Sequence, residues 1–213
     1  ATPAPSRSRR SSPTSPSRPA PSAPTSVAPP PPVVTGWQTV AVPSRGAAYD
    51  VPPGWRVASQ DTIGGFEPKS GVPVVGKGYA TFGEKFCDKY DSKAVTVMTN
   101  SKQTDLAAGA LELATKWATV AFSNDATGTV PPLQIGLPQP VPTASGATGS
   151  LVQVSAPVDK KQGCSVPAAS MYALTVPSSA SGSIALMVYV ARDVPDEVSA
   201  AVIQQIVRSV RPL

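Results

Sequence analysis

Residues 1–32 lack the means to fold alone, while the residues after them have the composition of a domain. The first 32 positions hold 11 of the chain's 26 prolines, and Ser, Ala, Thr and four arginines (Arg7, Arg9, Arg10, Arg18) make up nearly all the rest. Almost no apolar side chain is present to offset chain entropy. Dense proline favours extended polyproline II at about 3 Å per residue, so the stretch is a spacer on the order of 100 Å when fully extended. From Gly36 onward Trp, Val, Leu, Ile and Tyr are spread as in an ordinary small domain. The expected division is a disordered Pro/Ser/Arg-rich linker over 1–35 and a single globular domain over 36–213.

Charge follows the same division. The whole chain carries +5, but no acid occurs before Asp50. With four of the 18 basic residues in the tail, the head sets 14 bases against 13 acids, a net of +1. A nucleic-acid-binding domain concentrates its positive charge on the folded part, so nucleic acid is not an expected partner. The basic tail reads first as a soluble linker with a few charges, with contact to an anionic membrane or wall polymer as the alternative. No apolar run approaches the roughly 20 residues of a helical span, and no apolar stretch follows the early arginines as in a signal peptide. The chain therefore reads as a mature or trimmed form, tethered outside the cytoplasm by a segment that is not part of it.

Periodicity gives the elements of the head. Trp37–Val42, Ala48–Val51, Tyr79–Phe82, Ala94–Thr99, Ser150–Val158, Ser170–Val176 and Ile184–Ala191 have strand-like composition or alternation. Residues 60–78 carry glycines at 64, 65, 71, 76 and 78 and read as a loop or an irregular hairpin. Leu106, Ala110, Leu113, Trp117 and Ala121 form one apolar stripe, predicting a helix over Thr104–Phe122 capped by Thr104 or Asp105. A closing helix is expected over about Pro195–Val210, with Val198, Val202, Ile206 and Val210 on its buried face. The pattern is α+β: a central antiparallel sheet flanked by helices, an α/β/α sandwich.

The chemistry-bearing motifs are few. The chain has no histidine, which removes the commonest catalytic base and metal ligand. No GxSxG elbow occurs. Gly71 to Gly78 fits GxxxxGK, but Gly78 stands where a P-loop needs Ser or Thr, and Tyr79–Phe82 reads as a strand where a helix should follow. Trp37, Trp55 and Trp117 are expected to pack rather than bind. Lys85, Lys89 and Lys93 alternate with Glu84, Asp88 and Asp91, a solvated face of mixed sign. The head is expected to be non-enzymatic, with no catalytic residue, no metal ligand and no cofactor.

Two places carry a resemblance. Tyr49-Asp50-Val51-Pro52-Pro53-Gly54-Trp55 resembles the strand and P-x-G-W opening of PsbP/Mog-like domains. Ala185–Ala191 followed by Glu197–Val210, with Ile206-Val207-Arg208-Ser209-Val210, resembles their last strand and closing helix. Such domains occur in actinobacterial membrane-anchored surface proteins and Lpq-type lipoproteins. The resemblance implies an α/β/α sandwich and a docking or accessory role, and it transfers no functional residue. The reading is an extracytoplasmic accessory domain, expected to be a monomer, with a cell-envelope protein as partner. The alternative is a small-molecule or lipid carrier with a pocket between sheet and helix.

Cys87 and Cys164 lie 77 positions apart, outside any CxxC redox or zinc pattern. Either they pair or they are two buried thiols. Pairing is expected in an exported chain, and closing such a loop stabilises by roughly 4–5 kcal/mol at best. Intact mass with and without reductant should differ by two hydrogens. Two alkylatable thiols in the unreduced folded protein would refute the bond.

Overall fold

A computed structural model describes residues 28–86, 92–158, 166–178 and 182–213. In chain order the head runs β1 (Gln38–Val42), a 3-10 turn (Pro43–Arg45), β2 (Ala47–Val51), β3 (Arg56–Val57), β4 (Ile63–Phe66), β5 (Val74–Phe82), β6 (Ala94–Ser101), α1 (Leu106–Ala121), β7 (Gln134–Ile135), β8 (Gln139–Pro142), β9 (Thr148–Pro157), β10 (Ala168–Pro177), β11 (Ser183–Arg192), α2 (Ala200–Arg208) and β12 (Arg211–Pro212). Nine strands form one antiparallel sheet in the order β3-β5-β6-β11-β10-β9-β7, with β4 beside β5 and β8 beside β9. A second sheet has the order β1-β2-β12.

The large sheet is covered on both faces, so its central strands read as almost unbroken apolar runs. In β11, Ile184, Leu186, Val188 and Val190 enter one core cluster while Ala185, Met187, Tyr189 and Ala191 enter the other. The two faces differ in bulk, and that difference decides what packs on each. Facing α1, the strands offer mainly alanine, valine and methionine, and α1 answers with Gly109, Ala110, Ala114, Ala118 and Ala121. Small residues on both sides let the helix come close. Asp105 caps it, its side chain accepting from the Ala108 N–H. The Thr175 hydroxyl donates to the Leu106 carbonyl at 2.6 Å and ties the helix start to β10.

The opposite face offers larger side chains, including Tyr172, Leu174, Leu186 and Val188. Its cover is the three-stranded sheet together with α2, which supply Val40, Val42, Tyr49, Val51, Ile203, Ile206 and Val207. This corrects the expected α/β/α sandwich with helices on both faces. Among the described residues strand takes 42% and helix 16%, and a second sheet shares the covering of this side with α2. Period-2 alternation identifies β1 and β2 as strands but does not say which sheet they join.

Two boundaries also move. The glycine-rich stretch takes the hairpin reading of its two alternatives: Ile63–Phe66 and Val74–Phe82 pair antiparallel. The closing helix starts at Ala200, five residues later than expected, with Ser199 accepting from the Val202 N–H. Asp193 and Asp196 have positive φ in the segment before it, which bars helical continuation there. The buried face of α2 is Ile203, Ile206 and Val207, while Val202 is only partly buried.

Ile206 is fully buried against the large sheet. Ile206→Ala should therefore cost about 2–5 kcal/mol in urea unfolding. A loss below about 0.5 kcal/mol, the size of an ordinary surface substitution, would show that α2 is not part of the core.

Candidate functional site

The described part of the large sheet ends in two unlike edges. At one edge, β7 and β8 lie beside β9, with Pro140 opposite Ser150 and Pro142 opposite Thr148. Pro138 precedes them. Proline has no N–H, so β8 offers no donor at positions 140 and 142, whereas β7 on the same edge contains no proline. Ile135 and Leu137 are exposed beside it.

The other edge is β4, which contains no proline. Its sequence Ile63-Gly64-Gly65-Phe66 is set by close neighbours. A Cβ on Gly64 would sit 2.0 Å from the Tyr79 ring, and one on Gly65 would sit 1.9 Å from the Val74 carbonyl oxygen. The Tyr79 ring thus fills the space that a side chain at 64 would take. Phe66 turns inward, edge-on to Trp117 with ring centres 6.3 Å apart.

Residues directly opposite in an antiparallel pair share a face. Ile63 opposes Lys77 and Gly65 opposes Val75, so Ile63 and Val75 are diagonal neighbours on the face away from Phe66. Ile63 is 64% exposed, Val75 46%, and Val72 in the connecting turn 76%. Lys77 and Asp61 form a loose pair at 3.8 Å beside them. The result is a short apolar strip with a polar rim at a strand edge whose ladder partner among the described residues is β5.

The polar groups nearby are structural. The buried Tyr49 hydroxyl donates to the Gly78 carbonyl and lies 2.8 Å from Thr96 Oγ1. Burial raises its pKa well above the ordinary phenol value, so it stays protonated at neutral pH. Glu84 Oε1 accepts from Arg56 Nε at 2.7 Å and from the Thr81 hydroxyl at 2.8 Å. The bond from Arg56 holds the Glu84 carboxyl below its usual range, and the same bond raises Arg56. Both side chains are substantially exposed, and the pair clips β3 to the end of β5. Among the described residues no three His, Cys, Asp or Glu gather as a metal cage requires.

The residues singled out from the sequence fall as follows. Cys87 and Cys164 lie outside the described residues, as does Lys89. Trp55 is buried and stacks on Phe82, and Trp117 is buried on the inner face of α1. Trp37 is partly buried against the core shared by the two sheets. Lys93 donates to the Pro195 carbonyl at 2.7 Å. Gly76, Lys77 and Gly78 belong to β5, not to a loop that opens a helix.

A cavity of about 250 Å³ opens between the ends of the two sheets, near the β8–β9 turn. It is on the face away from α1, so it is not the pocket between sheet and helix that a carrier reading anticipates. Neither Ile63, Val72 and Val75 nor this cavity was singled out from the sequence. The glycines around the first group mask its strand character, and the cavity is assembled from distant segments.

Together these features define an antiparallel β-sheet domain with one helix on one face and a small sheet with α2 on the other. The chain belongs to the family described as a domain of unknown function (DUF8017), whose model matches residues 30–213. No curated protein matches it. Among solved structures it is similar to one from Bacteroides thetaiotaomicron VPI-5482, determined at 1.50 Å, with 9% identity and a TM-score of 0.38. That similarity covers 84% of this chain and 49% of the other, so this chain spans about half of its length.

Proposed function

We propose that the head is a non-enzymatic binding or accessory module, held outside the cytoplasm by its Pro-rich tail, that docks a cell-envelope protein through the β4 edge. The observation that carries this reading is the asymmetry of the edges. Prolines at 140 and 142 remove donors from β8, the longer of the two strands beside β9, whereas β4 is proline-free and carries the exposed Ile63–Val75 strip. A partner that adds an extended strand there would gain main-chain hydrogen bonds and bury the strip. The absence of histidine from the chain and the near-neutral head also favour binding over turnover and over nucleic acid. The tail sets reach, and its four arginines attract anionic surfaces.

A photo-crosslinking residue placed at position 63 of the full chain tests the docking edge in envelope membranes. One discrete adduct is expected, lost in Val75→Glu and absent when the probe is moved to position 137 on the proline edge. Equal crosslinking from 63 and 137, or an adduct indifferent to Val75→Glu, would overturn the assignment. Deleting residues 1–27 should leave that adduct in detergent-solubilised envelope while abolishing salt-sensitive binding to anionic vesicles.

A further inference from the structure

We propose that the mouth of the core between the two sheets binds a small neutral amphiphile: an aromatic ring or short alkyl chain that ends in a hydroxyl group. The inference goes beyond the docking reading, because the cavity lies on the β8–β9 side of the sheet, away from β4.

Ala47, Val176, Ile184 and Val210 line the cavity and also belong to the core cluster shared by the two sheets. The cavity is thus an unfilled extension of that core, open at one end. Its volume, about 250 Å³, sets the size of an occupant. An apolar cavity of about 150 Å³ holds benzene, so this one accepts a ring with a few more carbons, or a chain of similar bulk.

Charge chemistry narrows the class. The one ionisable residue in the lining is Arg211. Its guanidinium is already committed, donating to Asp50 at 2.9 Å, to the Ser209 and Pro31 carbonyls at 3.0 Å and to Thr39 Oγ1 at 3.1 Å. A carboxylate or phosphate ligand would lose its hydration without gaining a free cation.

The rim instead offers an acceptor. Thr143 Oγ1 donates to the Ala147 carbonyl at 2.8 Å. Ser145 Oγ, 2.7 Å from Thr143 Oγ1, must then be the donor in that contact. Ser145 Oγ also accepts the Ala147 N–H at 3.1 Å. A hydroxyl oxygen has two lone pairs, so one lone pair of Ser145 remains free at an exposed turn. A ligand hydroxyl can donate to it while the apolar part enters the mouth.

The test is a methyl-resolved NMR titration of the full chain with 1-octanol, and in parallel with octanoate. Octanol should give saturable shifts centred on the methyls of Val176, Ile184 and Val210, and octanoate at equal concentration should give none that saturate. Ala147→Phe, which narrows the mouth from a turn residue, should abolish the saturable shifts at an unchanged melting temperature. Ser145→Ala should weaken octanol binding, and it keeps the test decisive if the Phe variant folds poorly. Non-saturating or scattered shifts with octanol would overturn the proposal. So would octanoate binding as tightly as octanol, or full octanol binding by a folded Ala147→Phe. Because none of these variants touches Ile63 or Val75, failure here leaves the docking result separate.

Discussion

One buried ion pair closes the head. The Asp50 carboxylate is completely enclosed, and Arg211 Nη1 lies 2.9 Å from its Oδ1. A buried charge without a partner is strongly destabilising, so the chain must bring β2 and the C-terminal strand together. The rest of the cluster recruits further segments. Oδ2 accepts from the Val33 and Val34 N–H groups at 2.7 and 3.1 Å, and Oδ1 from the Thr39 hydroxyl at 3.0 Å. The Asp50 N–H donates to Ser209 Oγ at the end of α2. The segment leading into the head, β1, β2, the end of α2 and β12 therefore meet at one carboxylate. This fixes the small sheet and α2 as a unit over the large sheet. It also fixes where the tail leaves the head, since Pro31 is already held by Arg211.

Given that closure, the two faces of the large sheet follow from side-chain size. Alanine and glycine on α1 match small residues on the strands, and a single helix suffices there. On the other face, leucine, isoleucine and valine from both sheets interdigitate, as in sheet-on-sheet packing. Toward the sheet ends the filling is incomplete, and Val176, Ile184 and Val210 look onto the open cavity. The β4 edge lies across β5 and β6 from β11, whose Ile184 lines that opening. The two candidate binding features thus belong to different parts of the sheet and are separable by mutation.

Much of the element order was legible in the sequence because local signals sufficed. The stripe from Leu106 to Ala121 matches α1 to within two residues, and Asp105 is its cap. Strands β9, β10 and β11 were found by alternation and composition, each a little longer than expected. What was missed, or left between loop and hairpin as β4 was, depends on distant partners. β4, β7, β8 and β12 are two to four residues long, and each is a strand only because β5, β9 or β2 lies alongside. Gly64 and Gly65 read as loop residues because their reason, the Tyr79 ring and the Val74 carbonyl, lies 9 to 15 positions away. Pro195 and Asp196 looked like a helix start, but Ser199 caps it instead. The sandwich expectation failed because nothing local distinguishes a strand of the large sheet from one in a second sheet. Asp50 is a lone acid between apolar residues, and its partner is 161 positions later.

The most direct measurement is a double-mutant cycle on Asp50→Ala and Arg211→Ala in the full chain, read by urea unfolding. If the pair closes the head, each single variant should lose about 3–5 kcal/mol, and the double variant should lose little more than either alone. Loss of under about 1 kcal/mol in the single variants, the range of a surface pair, would contradict the account. So would losses that add within about 0.5 kcal/mol, the behaviour of independent sites.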